Sequence, residues 1–327
     1  MEESGAHTRG SKLGIFFLVL IVLTALRLLL GLVAVPTTLV VPLGVVVTAV
    51  FVAAPILALF HAAAHRWTPG LAVAFILGGA IVHAGGWLFL TKEAQSLLQQ
   101  MTIAVPPLLL AGVAALIQIG LVCWCVGLGA LLVTLIRDKN IIIPVAVFVA
   151  AFDIFLVLTP VGPTQAIMQA RPEVFQAVAY QVPSVQTAVT GEPVAPFAFI
   201  GPADFLFCAM FFVLLFKFGM RTRQTLIALI PTLIVYLGLA YFMPLPALVP
   251  IGIVVLAINL PEFKLTRDEW LATGVVALIG VGLILWGMTR ERPSPKAPPA
   301  APSTSAPSQD GAESEGSPRP AAPGSPP

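Results

Sequence analysis

Apolar runs of membrane-spanning length follow one another along most of this chain, at about residues 13–35, 38–61, 70–91, 103–136, 141–159, 196–218, 224–243, 245–260 and 269–289. A helix needs about 20 apolar residues to cross the hydrocarbon core of a bilayer. Only helices and closed barrels satisfy their backbone polar groups there. These runs are continuous, whereas a membrane β-barrel shows short alternating segments. Soluble domains carry roughly 25% charged residues, against 10% here, with 58% hydrophobic and a mean hydropathy of +0.98. The expected fold class is all-α: a polytopic transmembrane helical bundle of about nine spans, ten in the alternative, surrounded by membrane lipids as an integral multi-pass protein.

The organisation expected is a polar N-terminus (1–12), N-terminal transmembrane helices (13–140), a second transmembrane region (141–260) containing a long connection at 161–195, an additional C-terminal helix (261–290) and a tail (291–327). The first apolar run is longer than the roughly 7–15-residue core of a secretory signal, so it reads as an uncleaved span. Arg27 inside it has a structural reading, snorkelling or pairing. The run 103–136 decides the span count. At about 1.5 Å per residue it is roughly 50 Å long, long for one upright helix and short for two. With one tilted helix and a cytoplasmic N-terminus, Arg9, Lys12, Arg66, Arg137, Lys139, Lys217, Arg221, Arg223, Lys264 and Arg267 fall inside, against Lys92, Arg171, Arg290, Arg292 and Lys296 outside. That asymmetry favours nine spans. The connection is too polar and proline-broken to span, and "TQAIMQA" and "PEVFQAVAY" within it read as short interfacial helices. Residues 291–327, rich in Pro, Ala, Ser and Gly, cannot build a core and read as disordered.

Several chemistries find no support. The net charge of +2 makes no case for nucleic acid. Cys123, Cys125 and Cys208 lie in apolar runs without partner ligands and read as small buried residues. No metal and no cofactor is expected. The glycine pairs at 78–79 and 85–86 read as sites of close helix packing, and His83 between them as a hydrogen-bonded interior side chain.

Of the 15 acidic residues, Asp153 in "VAAFDIFLVL" and Asp204 in "IGPADFLFCAMFF" lie well inside apolar runs. A central aspartate costs about 2.5–3.5 kcal/mol on insertion scales, and intramembrane ionisable groups default to a functional hypothesis. On adjacent antiparallel helices the two would face each other. Two carboxylates that close share one proton and titrate as a unit. The ionised member then takes a proton from water while the protonated member polarises a carbonyl. The acids alone leave other readings open: a hydrogen bond to a neighbouring helix, or a paired-carboxylate proton or sodium site in a transporter.

The flanking residues narrow the choice. "FDIFLVLTPVGP" (152–163) resembles the first catalytic segment of the presenilin and signal peptide peptidase family. The likeness lies in the aromatic residue before Asp and in a following Val-Leu-x-Pro-x-Gly-Pro pattern at Val157, Leu158, Pro160, Gly162 and Pro163. "GPADF" (201–205) is similar to the family's second segment, Gly-x-Gly-Asp with Phe after it. "PLPALVP" (244–250) contains its Pro-Ala-Leu element. The aspartates are 51 residues apart, with the long connection between them. The resemblance covers residues 140–260. It implies a presenilin-like fold, a prokaryotic inner-membrane location, and an intramembrane aspartyl endopeptidase that cuts single-span membrane proteins or remnant signal peptides. Asp153 and Asp204 would be its dyad, and Phe152, Gly201, Pro202, Ala203, Pro246, Ala247 and Leu248 its substrate contacts. Pro246 and Pro250 would interrupt helix geometry and leave backbone groups for an extended substrate, with the connection as gate or strand donor. Phe152 stands where the family has Tyr, and Ala203 where it has Gly. Four runs precede Asp153 where the family has five helices. An inactive helix-binding homologue is the alternative the Ala203 exchange keeps open. The oligomeric state has no sequence signal.

Overall fold

A computed structural model of the protein describes residues 3–101, 104–164, 167, 172–183, 186–187, 198–240 and 245–290. The tail at 291–327, most of "TQAIMQA" and Pro244 lie outside the described residues. The helices are α1 (Glu3–Leu30), α2 (Thr37–Ala63), α3 (Pro69–Leu90), α4 (Lys92–Gln100), α5 (Pro107–Leu135), α6 (Ile142–Leu158), α7 (Pro172–Val178), α8 (Pro202–Lys217), α9 (Thr222–Ala240), α10 (Leu248–Asn259) and α11 (Arg267–Met288). Among the described residues, α1, α2, α3, α5, α6, α9 and α11 supply seven segments long and apolar enough to cross a membrane. The chain is thus a mostly helical bundle of the membrane class.

The run at 103–136 forms one helix of 29 residues. Its first turn carries Pro106 and Pro107, where the missing N–H groups fall among the helix's unpaired donors anyway. Its last turn is closed by Lys217, whose Nζ donates to the carbonyls of Val133 at 2.9 Å and Ile136 at 2.5 Å, a cation placed on the negative end of the helix dipole. The N-terminus departs from expectation: α1 begins at Glu3 and carries the helix through residues read as a polar leader. The connection supplies α7 from "PEVFQAV", as the sequence indicated, and also strands.

The connection contains β2 (Tyr180–Val182) and β3 (Gln186–Thr187); β1 (Ala34–Val35) lies between α1 and α2, and β4 (Ala198–Ile200) just before α8. β1 pairs in parallel with β3. β2 pairs antiparallel with β4, with Tyr180 opposite Ile200, Gln181 opposite Phe199 and Val182 opposite Ala198.

α8 is the buried centre. Phe205 and every residue from Cys208 to Leu215 are buried, as expected of a helix that is apolar all round. It packs mainly on α5 and α2. Leu18, Ile21 and Leu29 of α1 and Leu278 and Ile279 of α11 are exposed, the side that lipid would cover.

Candidate active site

α8 and α10 have only 16 and 12 residues, roughly 24 and 18 Å at about 1.5 Å per residue. Each is too short for a core about 30 Å thick. α8 runs parallel to α5, with Pro202 beside Cys125, Leu206 and Met210 beside Gly129, and Lys217 beside Val133 and Ile136. Its N-terminus therefore lies alongside the middle of a membrane-length helix. Non-helical backbone at that depth is tolerated where protein buries it or where it lines a water-filled cavity.

The first turn of a helix leaves N–H groups without intrahelical partners, and both short helices begin against an aspartate. Asp204, the third residue of α8, accepts through Oδ2 from its own helix's Gly201 N–H at 3.1 Å. Asp153, in α6, accepts through Oδ2 from Leu248 N–H, the first residue of α10, at 2.8 Å. A carboxylate at a helix N-terminus meets the positive end of the dipole, which offsets part of the cost of holding it in an apolar bundle. Asp153 is 8% exposed.

The sequence expectation placed the two aspartates face to face on adjacent antiparallel helices. α6 packs mainly on α10 and α11, and α10 touches both α6 and α8. Gly252 of α10 lies against Ala146 and Ala150 of α6.

Of the nine site residues read from sequence, Asp153, Asp204, Gly201, Pro202, Pro246, Ala247 and Leu248 belong to these two helix starts. Gly201 has φ −66° and ψ 149°, the extended backbone expected before proline. A Cβ there would meet Asp204 Oδ2 at 3.4 Å, an ordinary contact. Ala203 is exposed on the first turn of α8. The Phe152 ring lies elsewhere, in an exposed aromatic stack along α6 with Phe148 at 5.7 Å and Phe155 at 6.4 Å. Beyond α6, Gly162 of the Pro-x-Gly-Pro pattern comes so close to the carbonyl of Leu156 that no side chain would fit, while its N–H closes the turn on Thr159 at 2.9 Å.

Two residues that the sequence reading did not assign to the site touch its backbone. Tyr236 donates its hydroxyl to the Pro246 carbonyl at 2.9 Å. Cys125 Sγ lies 3.3 Å from the Pro202 carbonyl. A tyrosine in an apolar run needs a partner for its hydroxyl, and that was the signal available for Tyr236. Tyr236→Phe keeps the ring and frees Pro246, so Leu248 N–H loses its fixed approach to Asp153. The expected result is a loss of about 1 kcal/mol in stability, the net worth of one hydrogen bond.

The strands add one more feature. Gln181 N–H donates to Gln118 Oε1 at 3.0 Å, and its carbonyl accepts from Arg27. Both backbone groups thus point away from β4. In an antiparallel ladder this makes Gln181–Phe199 a non-hydrogen-bonded pair, so Phe199 turns its own N–H and C=O to the far side of β4. That edge leads directly into Gly201 and Asp204.

Among the described residues, no three His, Cys, Asp or Glu side chains gather to hold a metal. No family model, curated protein or solved structure matches the chain.

Proposed function

We propose that the protein is an intramembrane aspartyl endopeptidase of presenilin-like architecture, with nine crossings: the seven long segments, and α8 and α10, each completed by backbone outside the helix. Its substrates would be single-span helices or remnant signal peptides. The observation that supports this reading is that Asp153 holds the first amide of α10, at Leu248 of the Pro-Ala-Leu segment, while α10 also touches α8, the helix that carries Asp204 in its first turn.

The chemistry follows from that arrangement. In each carboxylate the hydrogen bond to a helix start engages Oδ2, which orients Oδ1 for the reaction. The pair retains one proton between them. The ionised member takes a proton from a water molecule as it attacks the scissile carbonyl carbon, and the protonated member donates to the carbonyl oxygen. Collapse of the tetrahedral intermediate expels the amine, which leaves with a proton from the dyad. A helical peptide bond is shielded by its own ladder, so the substrate must be extended first. The outward edge of β4 at Phe199 offers main-chain partners for that extended segment by strand addition.

The test is a cleavage assay on the full chain reconstituted in lipid, with a panel of single-span helices and products identified by mass spectrometry. A cut within the span, blocked by a transition-state isostere of the hydrated peptide bond, is the expected outcome. Neither cleavage nor isostere binding across the panel would overturn the reading and favour an inactive or transport role for the acids.

A further inference from the structure

Arg27 lies in the last turn of the apolar helix α1, and its surroundings are specific. Its guanidinium donates to the Gln181 carbonyl and lies over the rings of Phe51 at 5.4 Å and Tyr180 at 5.5 Å. From the neighbouring helix α5, buried Gln118 accepts from the N–H of the same Gln181 at 3.0 Å. One residue of β2 is thus clamped at both backbone groups by two polar side chains from two different spans. Leu20, Leu23, Thr24, Ala115 and Ile119 line the rest of this site; Arg27 is half-buried and Gln118 buried, so an orphaned partner at Gln118 would be costly.

The clamp connects to the aspartate by two routes. Along the backbone, β2 fixes β4 through the Tyr180–Ile200 and Val182–Ala198 pairs, and Ile200 is followed by Gly201, whose N–H holds Asp204 Oδ2. Through side chains, the Tyr180 ring meets the Phe205 ring edge to face at 5.1 Å, and Phe205 is the residue after Asp204.

We infer that Arg27 and Gln118 are positioning residues that lock the β2–β4 strand pair onto the bundle and thereby set both Asp204 and the substrate-pairing edge at Phe199. The part concerning substrate rests on the protease reading; the anchoring of the strands does not. A planar guanidinium suits the place because it can donate in plane to a carbonyl while its faces stack on aromatic rings.

The experiment uses the full chain in lipid nanodiscs, with Arg27→Gln, Arg27→Lys and Gln118→Leu, and measures amide hydrogen exchange by mass spectrometry. Peptides covering 180–182 and 198–200 are expected to exchange at least about tenfold faster in Arg27→Gln and Gln118→Leu, with protection across 208–215 unchanged. Arg27→Lys, which retains one cationic donor, should fall between. Where a substrate is cleaved, Gln118→Leu should raise KM about tenfold through the edge at Phe199 and lower kcat about tenfold through Asp204. Wild-type exchange in the strand peptides of Gln118→Leu overturns the inference, as does an equal rise throughout the bundle. Should Arg27→Gln fail to fold, Gln118→Leu and Arg27→Lys decide. Faster strand exchange in a protein whose wild type cleaves nothing would leave the anchor standing and remove the protease.

Discussion

Asp153→Asn and Asp204→Asn are each expected to abolish cleavage while leaving the bundle folded. Asparagine has the size of aspartate and keeps an oxygen that can accept from Leu248 N–H or Gly201 N–H, the two bonds that tie the acids to their helix starts. It cannot ionise, and it cannot hold or release the shared proton. Loss of a positioned acid or base removes about 10²–10⁴-fold in rate, and a dyad acts as a unit, so either change alone should cost the full factor. Stability should move the other way, because a neutral amide is cheaper to bury than a carboxylate. The thermal midpoint in detergent is expected to stay level or rise. Asp153→Ala separates the roles further: it also orphans the Leu248 N–H, at about 1–3 kcal/mol, so activity and stability should fall together. The two readings of the acids diverge here. If the carboxylates serve only as helix caps, the asparagine variants retain cleavage, and the dyad assignment fails.

The sequence made the class of this chain plain because lipid imposes a length and composition on each span that no other environment does. The apolar runs at 38–61, 70–91 and 269–289 match α2, α3 and α11 to within a few residues. The acids were legible for the related reason that Asp153 and Asp204 interrupt such runs. What the runs conceal is where a helix begins inside them. The run 196–218 reads as one span, yet residues 198–200 form β4 and α8 starts at Pro202; Phe199 and Ile200 are as apolar as the helix that follows. Helix starts inside apolar runs, at Pro202 in α8 and Leu248 in α10, are what give Asp204 and Leu248 N–H their roles, and hydropathy does not register them. Gln118 was a second visible interruption, an amide amid "AALIQIGL". Its partner is a backbone N–H 63 residues away, and a backbone partner has no identity that sequence could supply.

Gly79→Ala and Gly127→Ala are expected to destabilise the bundle by about 1–3 kcal/mol each, the usual cost of overpacking, whereas Gly78→Ala and Gly85→Ala should be neutral or stabilising by up to about 1 kcal/mol, the ordinary gain in a helix interior. The pairs look alike in sequence, and both glycines of each fit the expectation of close packing. The structure divides them. A Cβ on Gly79 would lie 2.5 Å from Trp124 N and 2.7 Å from the Gly120 carbonyl, and one on Gly127 would lie 2.7 Å from the Ala72 carbonyl and 2.8 Å from Ile76 N. These are backbone atoms, which cannot rotate aside, so α3 and α5 must separate. A Cβ on Gly78 or Gly85 meets nothing within 4 Å. Thermal unfolding of the four variants in one detergent measures the contrast. Equal losses at Gly78 and Gly79 would mean that α3 presents a different face to α5. Cleavage provides a second readout, because α5 also carries Gln118 and Cys125, which hold Gln181 and Pro202. A displaced α5 in Gly79→Ala should therefore lower kcat/KM, although α3 carries none of the residues that hold the aspartates. Gly78→Ala, on the open face of the same helix, should leave it unchanged.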